Sequence, residues 1–289
     1  MNGWLVVNSF LRNEKLDKMY ALFLSSAKDL GIDLALLRGC EISDVLGGGF
    51  QKRPLPDFVI FWDKDTILAQ MLENAGVRVF NSSRSIDVCD SKAKTYLQLS
   101  EHGIPIPQTI IAPKTFEGIG HCDPSFLQMV IGRLKLPMII KESFGSFGQQ
   151  VYLANTESEV RNIVDRIGHK DFLFQEFIAT SRGRDVRINV VGQQVVASML
   201  RYHDTDFRSN LSNGGQAKNY APTEAQKQLA LSAVSALNLD HAGVDILFGA
   251  DDTPVICEVN SNPHFLSVLE YTGVHLSDHI IRHIRDEMK

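Results

Sequence analysis

Short apolar runs and amphipathic segments alternate along the first part of the chain. The apolar runs predict strands at residues 5–7, 33–37, 58–62 and 78–81. Between the first two runs, apolar side chains recur at helical spacing as far as Gly31, and residues 66–75 repeat that spacing before Gly76. Because strands that alternate with helices are typical of a parallel sheet covered by helices, we expect a Rossmann-like unit here.

The rest of the chain is richer in strands. A helix is predicted at residues 91–102, where Gly103 ends it and the following prolines favour extended backbone. Further strands are predicted at residues 137–141, 151–153, 172–177, 186–191, 195–201, 243–248 and 255–259. These patterns predict an α/β (α+β) fold with three domains: an N-terminal Rossmann-like domain (1–88), a central domain with a glycine loop (89–177) and a C-terminal catalytic domain (178–289).

Composition narrows the class of protein. The chain has 289 residues, 44% of them hydrophobic and 22% charged, as expected of a globular enzyme. A net charge of -5 and the lack of a basic stripe argue against nucleic-acid binding. No apolar stretch reaches membrane-spanning length, and the four cysteines form no CxxC pair. We therefore expect a cytoplasmic protein with reduced thiols, free of membrane and nucleic-acid partners, that could form a homo-oligomer.

A hairpin near the C-terminus carries the strongest chemical signal. Side chains alternate along a strand, so Glu258 and Asn260 share one face, and Asp245 lies nearly opposite them on the partner strand. Two carboxylates and an amide oxygen are hard donors that suit Mg²⁺. The alternative is the polar face of a solvated sheet, but the surrounding apolar residues favour a metal site.

Three further segments suggest nucleotide chemistry. Lys141 ends a buried strand before a loop with Gly145 and Gly148, whose backbone N–H groups could wrap phosphate oxygens, although a plain hairpin turn would look the same. The strand edge at residues 176–178 could hold an adenine. Arg208 lies in a polar, glycine-rich loop that suits a transferring phosphoryl group, or else a salt-bridged surface loop.

Taken in order, these segments resemble the ATP-grasp superfamily and, within it, the RimK-like amino-acid ligases of the glutamate type. The resemblance is most specific at residues 206–211 with Gly214 and Gly215, and at residues 243–246 followed by 258–261. It covers roughly residues 88–285. The glycine loop departs from the family at Phe147 and at Gln149 and Gln150, and residues 262–264 depart from it near the expected acceptor pocket.

The resemblance implies a role for each candidate residue. The residues implied for ATP are Lys92, Lys141, Ser146, Glu176, Phe177, Ile178 and Asp185. Those implied for Mg²⁺, as two ions and with Mn²⁺ as an alternative, are Asp245, Glu258 and Asn260. Arg208 and Asn210 are implied in catalysis, and Arg187, Arg201 and His264 are candidate substrate residues.

The implied activity is an ATP-dependent carboxylate–amine ligase that works through an acyl-phosphate and releases ADP and phosphate. Its substrates would be a carboxylate and the amine of an amino acid, such as glutamate, or of a peptide. One alternative is a nucleotide-binding regulatory protein of the same fold that has lost turnover. Another is a kinase-like or dehydrogenase-like enzyme, but a dehydrogenase lacks support because no GxGxxG follows the first strand.

Overall fold

The N-terminal part of the chain forms a parallel sheet covered by helices. The computed structural model describes residues 1–43, 45–46, 50, 54–121, 123–146 and 148–289. The four strands are β1 (Asn2–Val7), β2 (Asp33–Arg38), β3 (Phe58–Trp62) and β4 (Arg78–Phe80), in the order β2-β1-β3-β4. The helices are α1 (Glu14–Asp29), α2 (Gly39–Ile42) and α3 (Thr66–Asn74). The predicted parallel sheet is confirmed.

The central part builds a four-stranded antiparallel sheet. Two helices, α4 (Ser83–Asp90) and α5 (Lys92–Glu101), lead into it. The remaining elements are β5 (Thr109–Ile111), α6 (Pro124–Leu134), β6 (Met138–Glu142), β7 (Val151–Ala154), α7 (Glu157–Ile167) and β8 (Phe172–Glu176). The strand order is β5-β8-β6-β7.

The C-terminal part builds a five-stranded antiparallel sheet, in the order β11-β10-β9-β12-β13. Its strands are β9 (Arg184–Val191), β10 (Gln194–Tyr202), β11 (Gln216–Asn219), β12 (His241–Phe248) and β13 (Pro254–Asn260). Its helices are α8 (Glu224–Ala236), α9 (Leu266–Thr272) and α10 (Leu276–Glu287). Within the described residues, no helix has both the length and the apolar character needed to cross a bilayer.

The hydrophobic core is divided unevenly among the three sheets. One cluster joins α1 and the parallel sheet to α9 and α10, and in it Phe23 contacts Phe265 edge-on with ring centroids 5.3 Å apart. Another cluster lies wholly within the central part, between residues 127 and 174. The first and last parts of the chain therefore share one cluster, and the central sheet has its own. Leu99 and Ile104, which precede the central sheet, pack into the core of the C-terminal sheet. The division into three domains at residues 88 and 177 stays a prediction.

Asn81 fastens the N-terminal part to the C-terminal sheet. It follows β4 and is fully buried. Its Nδ2 donates to the carbonyl oxygens of His241 and Ser261 at 2.9 and 2.8 Å, and its Oδ1 accepts from the backbone N–H groups of Asp240 and His241. One side chain thus satisfies buried main-chain groups at the start of β12 and the end of β13.

Candidate active site

A cleft lies between the central sheet and the C-terminal sheet. Its empty space, including the part that is open to solvent, is about 870 Å³. The candidate residues that line it are Lys92, Lys141, Ser146, Glu176, Phe177, Ile178, Asp185, Arg201, Arg208, Asn210, Asp245 and Glu258. Sequence reasoning had assigned these residues to ATP, metal, catalysis and substrate separately, and the fold brings them to one cleft.

Part of the lining of the cleft is apolar and is contributed by Ile139, Phe177, Ile178 and Leu247. Glu176 ends β8, where its backbone N–H donates to the carbonyl oxygen of Gln108 and its Oε1 accepts from the N–H of that residue, each at 2.9 Å. Apolar side chains next to a strand edge fit a heteroaromatic ring that stacks on them and bonds to main chain.

The middle of the cleft contains a buried ammonium group. Lys141 ends the buried strand β6 and is 6% exposed. Its Nζ donates to the hydroxyl oxygen of Tyr96 at 2.9 Å. The Tyr96 hydroxyl in turn donates to the carbonyl oxygen of Cys257 on β13. Tyr96 therefore holds the charged end of Lys141 against the C-terminal sheet.

Cys257 does not face away from the cleft, as strict strand alternation predicts. Asp245 pairs with Glu258 and Ile246 pairs with Ile256, so Cys257 is the extra residue of a β-bulge. The bulge turns Cys257 into the cleft, with Sγ 4.0 Å from Nζ of Lys141. Burial raises the pKa of the Cys257 thiol to about 11, so this side chain is a neutral thiol near pH 7. Strand alternation from Glu258 and Asn260 would predict that Cys257 lies in the core on the opposite face, and the bulge makes that prediction wrong.

Two cations contact the glycine loop from opposite sides. Nζ of Lys92 donates to the carbonyl oxygen of Gly145 at 3.1 Å and lies 3.6 Å from Oε1 of Glu258. Nη1 of Arg208 donates to the carbonyl oxygen of Gly148 at 2.8 Å. Gln150, one of the departures from the family pattern, packs across Gly145, where an added Cβ would lie 2.4 Å from its Oε1. Phe147, another departure, lies outside the described residues.

Four buried charges form a row across the C-terminal sheet. Arg201 on β10 lies opposite Asp185 on β9, and Arg187 on β9 lies opposite Asp245 on β12. Arg201 also reaches Asp245 at 2.9 Å, so the four side chains make one neutral network. Burial alone would raise the pKa of Asp245, but Arg187 and Arg201 outweigh it and hold that pKa below its usual value.

The comparison with known proteins now identifies the family. Residues 89–284 match the profile of the RimK-like ATP-grasp domain. The chain belongs to this family. The fold class and the family resemblance inferred from the sequence are thereby confirmed.

Relatives with known names are ligases or synthases. Human N-acetylaspartylglutamate synthase A is 36% identical over 207 residues, which are 71% of this chain and 51% of that protein. A probable alpha-L-glutamate ligase of Enterobacter is 34% identical over 221 residues, 75% of this chain and 70% of that protein. The crystal structure of D-alanine–D-alanine ligase from Bacillus anthracis in complex with ATP covers 100% of this chain and 97% of its own, with a TM-score of 0.76 and 14% identity. The last likeness concerns the ATP-grasp fold alone.

The donors expected for Mg²⁺ in this ATP-grasp cleft fit the ion in part. Asp245 and Glu258 line the cleft next to each other, as predicted, but both oxygens of Asp245 accept from arginines. Asn260 shares the face of Glu258, and its Nδ2 is buried without a partner among the described residues. Mg²⁺ keeps several waters and binds through one or two carboxylates plus phosphate oxygens. The set therefore fits an ion that arrives with nucleotide phosphates.

Three candidate residues lie outside the lining of the cleft. Arg187 belongs to the row of four buried charges, and Asn260 ends β13, where it pairs with Gly243. His264 is half-buried beyond β13, and burial together with the Lys15 ammonium lowers its pKa, so its imidazole is neutral near pH 7. Arg201 and Arg187 direct guanidinium groups at carboxylates of the protein itself. Their positive charge is thus largely compensated before any substrate arrives.

Sequence reasoning missed several residues that shape the site. Tyr96 and Cys257 act on Lys141, and Asp206 holds Arg208. Only Asp206 had a local signal, because it stands two residues before the arginine it pairs with. The other contacts join residues far apart in sequence, and a pattern of hydrophobic positions carries no information about them.

Proposed function

We propose that the protein is an ATP- and Mg²⁺-dependent ligase that joins a carboxylate to an amine through an acyl-phosphate. The observation that carries this proposal is the polarity of the cleft. Its lining combines Phe177 and Ile178, which suit adenine, with Lys92, Lys141 and Arg208, whose positive charges share the cleft with Glu258. Cations around a carboxylate in a protein cleft suit a triphosphate and its metal ion.

The side chains of the cleft have different roles in binding the phosphates, the ribose and the metal ion and in phosphoryl transfer. Lys141 and Lys92 balance the negative charge of the phosphates, and Asp185 accepts from the ribose hydroxyls while it stays paired with Arg201. Glu258, Asp245 and Asn260 hold Mg²⁺, which supplies Lewis-acid polarisation of the phosphates when bound. Arg208 and Asn210 lie where the γ-phosphoryl would be transferred, beside Gly148.

The reaction needs no protein nucleophile. An oxygen of the substrate carboxylate attacks the γ-phosphorus, and the bond to ADP breaks. The amine then attacks the acyl carbon, phosphate leaves, and the amine loses a proton. Positioning and charge stabilisation by Arg208 supply the catalysis. A neutral thiol at Cys257 agrees with this scheme, since it takes no part as a nucleophile.

Glutamate is our proposed amine substrate. The support is the names of the two relatives, one a synthase of an aspartylglutamate compound and the other a probable glutamate ligase. The residues at 262–264 differ from the family pattern, and His264 presents a neutral imidazole there. We propose that this loop sets which acid partner is accepted.

The test is ADP release with Mg²⁺·ATP across a panel of carboxylic acids, each paired with glutamate and with other amino acids. Wild type should release ADP only when a suitable acid and amine are both present. Lys92→Ala should weaken Mg²⁺·ATP binding, whereas Lys94→Ala, an exposed lysine two residues away, should not. Stabilisation by NAD(H) and not by ATP would contradict the proposal.

A second candidate is a nucleotide-binding regulatory protein without turnover. The observation in its favour is the Gln150 side chain, which fills the space above Gly145 where backbone would approach phosphate. This candidate predicts that Mg²⁺·ATP binds with no ADP release in any pair of the panel. It also predicts that Gln150→Gly restores release.

A further inference from the structure

The guanidinium of Arg208 is held on three sides. Asp206 accepts from Nε at 3.1 Å and from Nη2 at 2.8 Å, and its Oδ1 also accepts from the Arg208 backbone N–H at 2.8 Å. On the far side, Nη1 donates to the carbonyl oxygen of Gly148 at 2.8 Å. The side chain of Arg208 therefore spans the cleft from the C-terminal sheet to the central one.

The loop that carries Asp206 is itself anchored. Gly183 donates to the carbonyl oxygen of Phe207 at 2.9 Å and accepts from the N–H of His203 at 2.8 Å. Nδ1 of His203 accepts from the N–H groups of Thr205 and Asp206 at 3.1 and 2.8 Å. Gly183 has a φ of +65°, and an added Cβ would lie 2.8 Å from the Asp206 carbonyl oxygen. These contacts fix the backbone position of Asp206.

The hydrogen-bond count leaves Arg208 poised for a ligand. A guanidinium has five N–H donors in a fixed fork. Asp206 takes one on Nε and one on Nη2, and Gly148 takes one on Nη1. Among the described residues, one hydrogen on each terminal nitrogen has no acceptor, and Arg208 lines the cleft in which we propose the phosphoryl transfer. Without Asp206, the contacts left to the fork among the described residues would be the Gly148 carbonyl and the Phe207 ring, 5.2 Å from Cζ, and the fork could then rotate.

We propose that Asp206 is a positioning residue: it sets the orientation of Arg208, which Gly148 braces from the opposite sheet. This inference deepens the proposed function, because its kinetic arm rests on ligase turnover. Asp206 touches no substrate in this scheme. It acts by keeping the free donors of Arg208 aimed at the charge that develops during phosphoryl transfer.

The kinetic arm compares four variants with wild type: Asp206→Ala, Asp206→Asn, Asp206→Glu and the control Asp204→Asn. Asp204→Asn removes the same negative charge at an exposed position two residues before Asp206. Asp206→Ala should lower kcat by roughly 10- to 100-fold with KM for ATP within about threefold, since a misaligned charge donor chiefly affects the transition state. The kcat of Asp206→Asn should lie between those of Asp206→Ala and wild type, because its amide retains one acceptor oxygen. Asp206→Glu should recover part of the kcat that Asp206→Ala loses. Equal kcat in Asp206→Ala and wild type would overturn the proposal.

A second arm needs no substrate. The Arg208 guanidinium holds the pKa of the Asp206 carboxyl below its usual value. Carboxyl-carbon NMR titration of wild type and Arg208→Ala should show the Asp206 pKa rise in the variant, while that of Asp204 stays put. An unchanged Asp206 pKa would overturn the pairing and the inference with it.

The two arms separate failure of the inference from failure of the proposed function. If wild type releases no ADP in the whole panel but the Asp206 pKa rises in Arg208→Ala, the ligase assignment is wrong and the pairing of Asp206 with Arg208 is supported. If ADP is released and Asp206→Ala matches wild type, the assignment stands and the positioning role is refuted.

Discussion

Arg201 makes a two-bond contact with Asp185, in which Nε and Nη2 donate to Oδ1 and Oδ2 at 2.7 and 2.6 Å. Nη2 of the same guanidinium lies 2.9 Å from Oδ2 of Asp245. One buried cation thus compensates a carboxylate assigned to ribose and a carboxylate assigned to metal. The two halves of the proposed nucleotide site are electrostatically linked through it.

Arg201→Met should destabilise the fold strongly. Removal of one partner of a buried ion pair leaves an uncompensated charge, at a cost of about 3–5 kcal/mol. The free energy of unfolding in urea would measure this loss. Arg133→Met, at an exposed position on α6, is the control and should change the stability little. Equal stabilities of the two variants would contradict the role assigned to the network.

Tyr96→Phe should weaken ATP binding without harming the fold. The variant keeps the ring but removes the hydroxyl that accepts from Lys141. Because hydrogen bonds to charged groups contribute about 1.5–3 kcal/mol, we expect Kd for Mg²⁺·ATP to rise by roughly 10- to 150-fold. Calorimetric titration would measure this change.

Tyr152→Phe is the matched control for that experiment. It also removes a hydroxyl in the central part, one that donates to Glu142 at 2.8 Å away from the residues lining the cleft. Its affinity for Mg²⁺·ATP should equal that of wild type. A loss of affinity as large as in Tyr96→Phe would mean that the effect comes from general loosening of the sheet.

Glu258→Gln should separate metal binding from nucleotide binding. The carboxylate at 258 lies on the cleft next to Asp245, and an amide there has no negative charge for Mg²⁺. In wild type, Mg²⁺ should add to the rise in Tm produced by ADP. In the variant, the rise with ADP alone should persist and the extra rise with Mg²⁺ should vanish. Glu270→Gln, at an exposed position, should behave as wild type.

His241 should make the protein sensitive to mild acid. Its ring is 1% exposed and stacks on Trp62 at 5.2 Å, and neither ring nitrogen has a partner among the described residues. Burial lowers its pKa to about 4, although Asp240 opposes the shift and His283 adds to it. Below about pH 6.5, His241 binds a proton in the unfolded chain but not in the folded protein. The free energy of unfolding therefore falls from pH 6.5 toward pH 4.

The size of that loss follows from the two pKa values. A difference of about 2.5 units corresponds to about 3 kcal/mol at the acid end. Urea unfolding of wild type at pH 7, 6, 5 and 4.5 should show the decline, and His241→Phe should flatten it. His102→Phe, at an exposed position, should keep the wild-type slope. An identical slope in His241→Phe would assign the acid sensitivity to other groups.

Elements with a clear apolar pattern could be predicted from the sequence, and several others could not. The apolar run at Phe58–Trp62 and the periodic helix at Glu14–Asp29 lie where the patterns indicate. The strands Thr109–Ile111 and Gln216–Asn219 and the helices α6 and α9 went unpredicted. The two strands have only three or four residues, too few to show a distinct periodicity, and pairing with other strands decides their conformation.

The same limit applies inside the site. The chemistry of Lys141 and Glu258 could be inferred from residue type and position in a strand, because alternation fixes which face a side chain takes. Alternation fails at Cys257, where the bulge inserts a residue. It also says nothing about neighbours across the sheet, so the arginines that flank Asp245 could be found only once the strand order was known.

The core that joins both ends of the chain has a practical consequence for dissection of the protein. A fragment cut at the limits of the family match, residues 89–284, would keep Phe265 and Ile280 but lose Phe23 and Trp62, which pack on the same cluster. That fragment would expose the hydrophobic residues of this cluster to solvent, and we expect it to aggregate. The part of the chain that matches the family model is therefore smaller than the part that shares this hydrophobic cluster.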